Sequence, residues 1–393
     1  MNLFDEKIRN YSGFSKNLTS NYDYINDSSR NDVTALRSTL NQWFSHYPIE
    51  EQAELKSRLI KGETFDDTFF EMYLHELLLC MGFQLKLHPA MKGSANHPDF
   101  YAVKHHTEIY LEAKVDYSTS ERERSQKRIR YSILDRINDV SDGKYGIILE
   151  ELDLLSDMQP SIKGFISHLD EHFVSLNYLE VREQTIQSFA NLREHEYQDA
   201  GLRVVYSVFA YDNSLDKVNI RTIGIDASNK AQWGDCSDSL KKSFCKKSNR
   251  YGDIEKPYII CLNSLNWSID EFDIFNAAFG RQKTTFYINL KTSEPIEGSS
   301  YRENNGFFSI QTERNAQVSA VLIFNLGVGT IGCPKYWFIH NPFATFPLAP
   351  ADFPLKSYMA TESQLVECGE AKPISEILGI PYSWLNHNSE EKE

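Results

Sequence analysis

The 393-residue chain carries a formal charge of −14, with 41% hydrophobic and 13% aromatic residues, which sets it among folded proteins of two or more domains. It holds no run of about 18 apolar residues, and the start MNLFDEKIRNYSG lacks the basic, apolar, small-residue order of a secretory leader, so a soluble cytoplasmic protein without a membrane partner is expected. The acidic excess argues against broad coating of a polyanion, so contact with nucleic acid would have to be focal.

Residues 1–30 are rich in Asn, Ser, Asp and Tyr and predict a loose start. Asn31 and Asp32 offer caps for a helix through Leu36, Leu40, Trp43 and Phe44, and a second helix after Pro48 contains Leu55 and Leu59. From Thr64 to Met81, apolar residues recur at helical spacing and Gly82 supplies the stop. Strand-like runs follow at Phe83–Leu87, Asp99–Val103 and Glu108–Val115, the last two joined by the polar turn Lys104-His105-His106-Thr107. A charged helix is expected from Glu121 to Val140, then a break at Asp142-Gly143 and a buried strand at Tyr145–Leu149. The order is helix, three strands, helix, strand.

The stretch to Gln198 reads as helical. Beyond it, strand-like runs at Leu202–Ala210, Val218–Ile225, Pro257–Leu262, Thr284–Leu290, Val318–Phe324 and Tyr336–Ile339 alternate with a basic helix near Leu240–Asn249 and an acidic one near Asp270–Phe279. The expected organisation is a helical segment over 1–60, a catalytic core over 61–155, connecting helices over 156–200, a second α/β domain over 201–345 and a tail over 346–393, frayed at Glu390–Glu393. The six cysteines form no C-x-x-C pair, several sit in apolar settings, and they read as reduced core thiols of a cytosolic protein. There is no Walker loop, G-x-G-x-x-G or G-x-S-x-G, which removes support for ATP-driven translocation, nicotinamide chemistry and α/β-hydrolase chemistry.

Acid-x-Lys is cheap by itself, occurring at Asp5/Lys7, Glu54/Lys56, Glu112/Lys114, Asp142/Lys144, Glu370/Lys372 and Glu390/Lys392. Context singles out Glu112 and Lys114: they end a strand-like run, and the chain's one Pro-Asp, Pro98-Asp99, begins the strand before. Side chains alternate along a strand, so Glu112 and Lys114 share a face. A hairpin centred between His105 and His106 sets Asp99 across from Glu112, and facing carboxylates make sense with a cation between them. Oxygen ligands suit Mg²⁺ or Mn²⁺, and no His/Cys spacing suits zinc. Lys114 would orient a metal-activated water or stabilise developing charge. Glu71 on the apolar helix is the preferred third carboxylate, with Glu76 the alternative. His75, one turn beyond Glu71, is read equally well as a packed histidine.

Glu71 on the first helix, Pro98-Asp99 on the second strand and Glu112-Ala113-Lys114 on the third resemble the PD-(D/E)xK nuclease superfamily over residues 61–155. The resemblance implies a restriction-endonuclease-like core, a mixed sheet flanked by helices. It implies metal ligation by Asp99 and Glu112 with the Ala113 carbonyl, an accessory role for Glu71, and phosphate contacts from Gln126, Lys127, Arg128 and Arg130 on the following basic helix. That helix reads equally well as a solvated charged face. The expected activity is Mg²⁺- or Mn²⁺-dependent cleavage of nucleic acid, DNA favoured. Defence against phage or foreign DNA is implied for such a core joined to a sensing region. The C-terminal half is expected to recognise substrate, a partner protein or a second copy. The alternatives are an RNA-directed nuclease and a non-catalytic binding or assembly module on the same fold. The basic residues from Lys241 to Arg250 around Phe244 and Tyr251 are read as a solvated amphipathic helix rather than a nucleic-acid contact.

Overall fold

The computed structural model describes residues 1–91, 94–117, 121–140, 143–155, 160–212, 220–228, 236–248, 250–252, 254–288, 295–309, 312–360 and 365–380. Asp142, Val218, Asn249, Leu290 and the end at 390–393, which the sequence reading also touched, lie outside these. In chain order the elements are α1 (Asn21–Asp27), α2 (Asn31–His46), α3 (Ile49–Ile60), α4 (Phe65–Cys80), β1 (Gln84–Leu87), β2 (Phe100–Lys104) and β3 (Thr107–Asp116). Next come α5 (Glu121–Asn138), β4 (Tyr145–Leu154), α6 (Lys163–Ser175), α7 (Tyr178–Gln187), β5 (Glu194–Gln198), β6 (Leu202–Ala210) and β7 (Ile223–Asp226). The chain continues with α8 (Cys236–Ser248), β8 (Tyr258–Ser264), α9 (Glu271–Phe279), β9 (Gln282–Ile288) and β10 (Pro295–Arg302). It closes with β11 (Ala320–Asn325), β12 (Lys335–His340), β13 (Ser357–Ala360), β14 (Leu365–Cys368) and α10 (Ile374–Leu378).

These elements form an α/β protein of two compact units, one comprising residues 1–6, 31–118 and 234–393 and the other residues 7–30 and 119–233. The expected contiguous segments do not follow this division. Residues 119–155 belong to the second unit because β4 pairs with β6 and β7, whereas the place beside β3 is taken by β8. The helices expected as connectors, α6 and α7, pack in that second unit. The strands expected in one C-terminal domain are shared out, β6 and β7 to the second unit and β8, β9, β11 and β12 to the first. Nor are residues after 346 a bare tail, because β13 runs parallel to β12 and pairs antiparallel with β14.

The first unit is built on a mixed eight-stranded sheet in the order β1-β2-β3-β8-β11-β12-β13-β14. Strands β1, β2 and β3 form an antiparallel meander, and β8 lies parallel to both β3 and β11. Every residue of β8 is buried, as a strand covered on both faces requires. On one face, Phe70 and Tyr73 of α4 set their rings against Phe324 of β11. On the other, Leu240 and Phe244 of α8 and Ile274 and Ala277 of α9 join Ile260, Leu262, Val321 and Ile323 in one core.

Helix α4 is buried almost all round, which explains its apolar sequence, and α2, α3 and α10 pack on its remaining sides. It stops where Gly82 adopts φ +88°, with Phe83 N–H reaching back to the Leu78 carbonyl, so the expected glycine stop is observed. The β2–β3 hairpin turns through His105-His106, with His105 at φ +53° and Lys104 paired to Thr107. β9 and β10 make a separate hairpin.

The second unit has a four-stranded sheet in the order β5-β6-β4-β7. Ile133 and Ile137 of α5 and Phe165, Leu169 and Phe173 of α6 pack on Ile147, Leu149, Val204 and Tyr206. Thus α5 does have the apolar side expected of it, and that side is spent on the second unit's core. Among the described residues no helix is long and apolar enough to cross a membrane. All six cysteines are free, but only Cys261 is buried as a core thiol, while Cys80, Cys245 and Cys333 are exposed.

His340, at the end of β12, is 3% exposed, lies 4.8 Å from the Phe338 ring and has no hydrogen-bond partner on either ring nitrogen among the described residues. Burial lowers its pKa from 6.5 to about 4. A folded-state value below the unfolded one makes this site's contribution full above about pH 6.5 and lost as pH falls towards 4. The loss is on the order of 3 kcal/mol for one fully buried imidazole. Chemical denaturation at pH 7 and pH 4 should therefore show a smaller acid loss for His340→Leu than for the wild type. Parallel losses would acquit this histidine.

Candidate functional site

Strand β3 alternates between two differently covered faces. Leu111, Ala113 and Val115 turn to the α4 side, while Glu112, Lys114 and Asp116 turn to the α8 side. Asp116 is held there by Ser239 and Ser243, which donate to its carboxylate at 3.2 and 3.1 Å. The ladder runs from Lys104↔Thr107 to Phe100↔Leu111, and Asp99, one residue before β2, lies close enough for the charge of Glu112 to act on it. Asp99 Oδ2 accepts the Ala113 N–H at 2.6 Å, and its carbonyl accepts the His88 N–H at 3.1 Å.

Glu112 is 1% exposed, so its charge must be met inside the protein. Its Oε1 accepts from Lys247 Nζ and, at 3.0 Å, from Arg250 Nη1, while its Oε2 accepts from the Tyr251 hydroxyl. The sequence reading missed this set. Leu240, Phe244, Lys247 and Tyr251 follow at intervals of four, three and four residues, placing Lys247 on the apolar rather than the solvated side of α8. A lysine in register with an apolar stripe was the available signal. The solvated-face reading holds for Lys242 and Lys246, which are exposed, and is corrected for Lys247.

Asp99 is less well compensated. Burial first, then the charges of Glu112 and Glu71, push its pKa up from 3.8 to about 7, against the opposing Ala113 N–H and Lys247. Glu71 is therefore the helix acid within electrostatic reach of Asp99, and its own Oε1 is bound by Arg58 at 2.7 Å. Burial also raises the Tyr47 hydroxyl's pKa, followed by Glu71, with Asp99 a smaller contributor. Glu76 is paired instead with His46 Nδ1 at 2.9 Å. His75 is buried, its ring is 4.4 Å from Tyr47, and burial lowers its pKa to about 4, the environment of a packed neutral imidazole. Lys114 is half-buried and has no ion-pair partner among the described residues.

The basic residues expected to follow the third strand, Gln126, Lys127, Arg128 and Arg130, lie on α5 in the second unit. Lys127 and Arg128 are exposed, with the Lys127 ammonium 5.5 Å from the Tyr131 ring centroid. Arg130 is committed to Asp226 at 3.0 and 3.1 Å and to Ser228. Within the first unit, the helix between β3 and the strand parallel to it is α8.

Magnesium needs only one or two protein carboxylates and completes its shell with water and phosphate, so Asp99 and Glu112 with the Ala113 carbonyl fit it in donor chemistry. Asp99 Oδ1 carries no hydrogen bond among the described residues, which leaves it open to a cation. Both oxygens of Glu112 are turned to Lys247, Arg250 and Tyr251, and among the described residues no three His, Cys, Asp or Glu side chains gather as a ready cage.

Comparison with protein-family models, with curated proteins and with solved structures gave no match.

Because the folded-state pKa of Asp99 lies above its unfolded value, its contribution to stability is full below about pH 4 and lost as pH rises through about 7. Asp99→Asn keeps an acceptor for the Ala113 N–H and removes the charge. In metal-free buffer this variant should be more stable than the wild type at pH 8, by about 1 kcal/mol or more, and equal to it near pH 4. Equal melting at both pH values would show that Asp99 is not the uncompensated charge.

Proposed function

We propose that the chain is a metal-dependent phosphodiesterase that cuts nucleic acid, DNA favoured, on a restriction-endonuclease-like core. The observation that carries this reading is that Asp99, bound to the Ala113 N–H, feels the charge of Glu112 beside it, while Lys114 on the face of Glu112 has no ion-pair partner among the described residues. The start of the surrounding order supports it. Helix α4 and the β1–β3 meander follow the start of the resemblance, whereas the helix and strand expected next, α5 and β4, belong to the second unit and β8 takes the place beside β3.

In this reading Asp99 and Glu112, with the Ala113 carbonyl, hold Mg²⁺ or Mn²⁺. The bound ion supplies charge for the phosphate and lowers the pKa of a water. Lys114 orients that water or meets the charge that develops on the phosphate oxygens. Glu71 adds negative potential beside Asp99. The phosphate contacts that the resemblance implies for Gln126, Lys127, Arg128 and Arg130 fall in the second unit, where Arg130 is bound by Asp226 and Ser228. The nucleic acid would be foreign or phage DNA if the protein serves in cytoplasmic defence, with the second unit or the far half of the sheet recognising a trigger, a partner protein or a second copy.

One observation favours a second reading, a non-catalytic binding or assembly module. Glu112 is already neutralised by two cations and a phenol, as in a structural ion pair.

Incubating plasmid, linear duplex, single-stranded DNA and RNA with Mg²⁺ or Mn²⁺ separates the two. Cleavage by the wild type should fall at least about 100-fold in Asp99→Ala and in Lys114→Ala. Equal cleavage by all three proteins would remove the site assignment. Absence of cleavage by a folded wild type on every substrate would hand the case to the binding module, and RNA alone being cut would redirect the substrate.

A further inference from the structure

The charges around β3 are unevenly distributed. Glu112 Oε1 receives two cations, Lys247 and Arg250, while Asp99 beside it is held in an environment hostile to its charge and Lys114 has no counter-ion among the described residues. Three cations thus stand at or beside one buried carboxylate on one sheet face. A single carboxylate needs one. Lys247 is the inner member, its side chain 13% exposed, and Arg250 is the outer, its side chain 41% exposed and open to solvent. Tyr251 adds a hydroxyl that donates to Glu112 Oε2. Two cations and a hydroxyl, from the end of α8 and the residues just after it, thus converge on the Glu112 carboxylate, donor types that also suit phosphate oxygens.

We propose that Lys247, Arg250 and Tyr251 form an exchangeable phosphate cradle. They hold Glu112 when no divalent cation is present, and together with Lys114 they hold a nucleic-acid phosphate once Glu112 has turned to ligate one. The proposal rests on the metal-dependent reading of the same site and adds the residues that take the substrate's phosphate.

The energetics make the exchange cooperative. Turning Glu112 away by itself strands Lys247 in the interior without its anion, which is strongly unfavourable. Bringing in a phosphate by itself places a second anion against a buried carboxylate. Doing both conserves every charge pair: Glu112 gains a cation, and Lys247 and Arg250 keep an anion. Divalent cation and phosphate must then tighten each other's binding by the same factor. The exchange requires side chains to turn, not α8 to move, because Ser239 and Ser243 tie the helix to Asp116 two positions beyond Lys114.

The test uses the full chain, Mn²⁺ followed by the electron paramagnetic resonance of the free ion, and thymidine 5′-monophosphate as a phosphate probe without a cleavable diester. Wild type should bind Mn²⁺ at least tenfold more tightly with saturating nucleotide, and the nucleotide should tighten equally with Mn²⁺. Arg250→Met and Lys247→Met should each bind Mn²⁺ alone at least threefold more tightly than wild type, bind nucleotide more weakly, and show coupling reduced towards one. Because Arg250 is outermost, its variant keeps the test decisive if Lys247→Met fails to fold. Wild-type coupling near one, or unchanged Mn²⁺ affinity in a folded Arg250→Met, overturns the cradle. Failure of the underlying reading has a separate signature, namely no Mn²⁺ bound by any form, or binding that Asp99→Ala leaves intact.

Discussion

The burial of Glu112 is the constraint on which the first unit turns. A carboxylate that is almost wholly removed from water inside a sheet must be met by opposite charge, and that charge comes from residues 135 to 139 positions further along the chain. The clamp therefore does more than neutralise one side chain. It fixes the end of α8 against β3, while Ser239 and Ser243 fix the helix's earlier turns through Asp116. With α8 held at both places, β8 enters parallel to β3 and completes the sheet's centre.

The same constraint accounts for the chain's interrupted course. A parallel neighbour for β3 cannot be reached by a tight turn and needs a crossover, which in a small α/β unit is a single helix. Here the crossover carries α8 and, before it, an entire second unit with its own sheet and its own core of Ile133, Phe165, Leu169 and Tyr206. Such an insertion is tolerated because loop-closure cost grows only slowly with length and the inserted segment buries its own apolar residues. The first unit is then completed by elements that a reading along the sequence meets long after its first three strands.

What was legible in the sequence was local. The α4 helix ends at its glycine, and the hairpin centre between His105 and His106 sets the register that brings Asp99 within reach of the Glu112 charge, because both are decided by residues within a few positions of one another. What was not legible was partnership. Charged α5 followed by apolar β4, and basic α8 followed by apolar β8, present the same helix-then-strand pattern, and nothing in either says which strand pairs with β3. The nearer pair was chosen and the further one is observed. Lys247 was lost for a related reason: a lysine looks solvated until the carboxylate it neutralises is known, although its register with Leu240 and Phe244 already set it on the inner face.

That sequestration bears on how so acidic a protein could act on a polyanion. At a net charge of −14 the distant field repels nucleic acid, and at physiological salt it fades beyond about 8 Å, so contact is decided by the nearest cations. In the first unit two of those cations are turned inward on Glu112, which lowers the positive charge presented at rest. A surface arranged in this way disfavours adventitious binding to nucleic acid. Under the proposed exchange, the cations become available only where a divalent ion has relieved Glu112, so affinity for phosphate would be conditional on the ion that also supplies the chemistry. Binding without the means to cleave would then be suppressed by the ion pairs that neutralise Glu112 at rest.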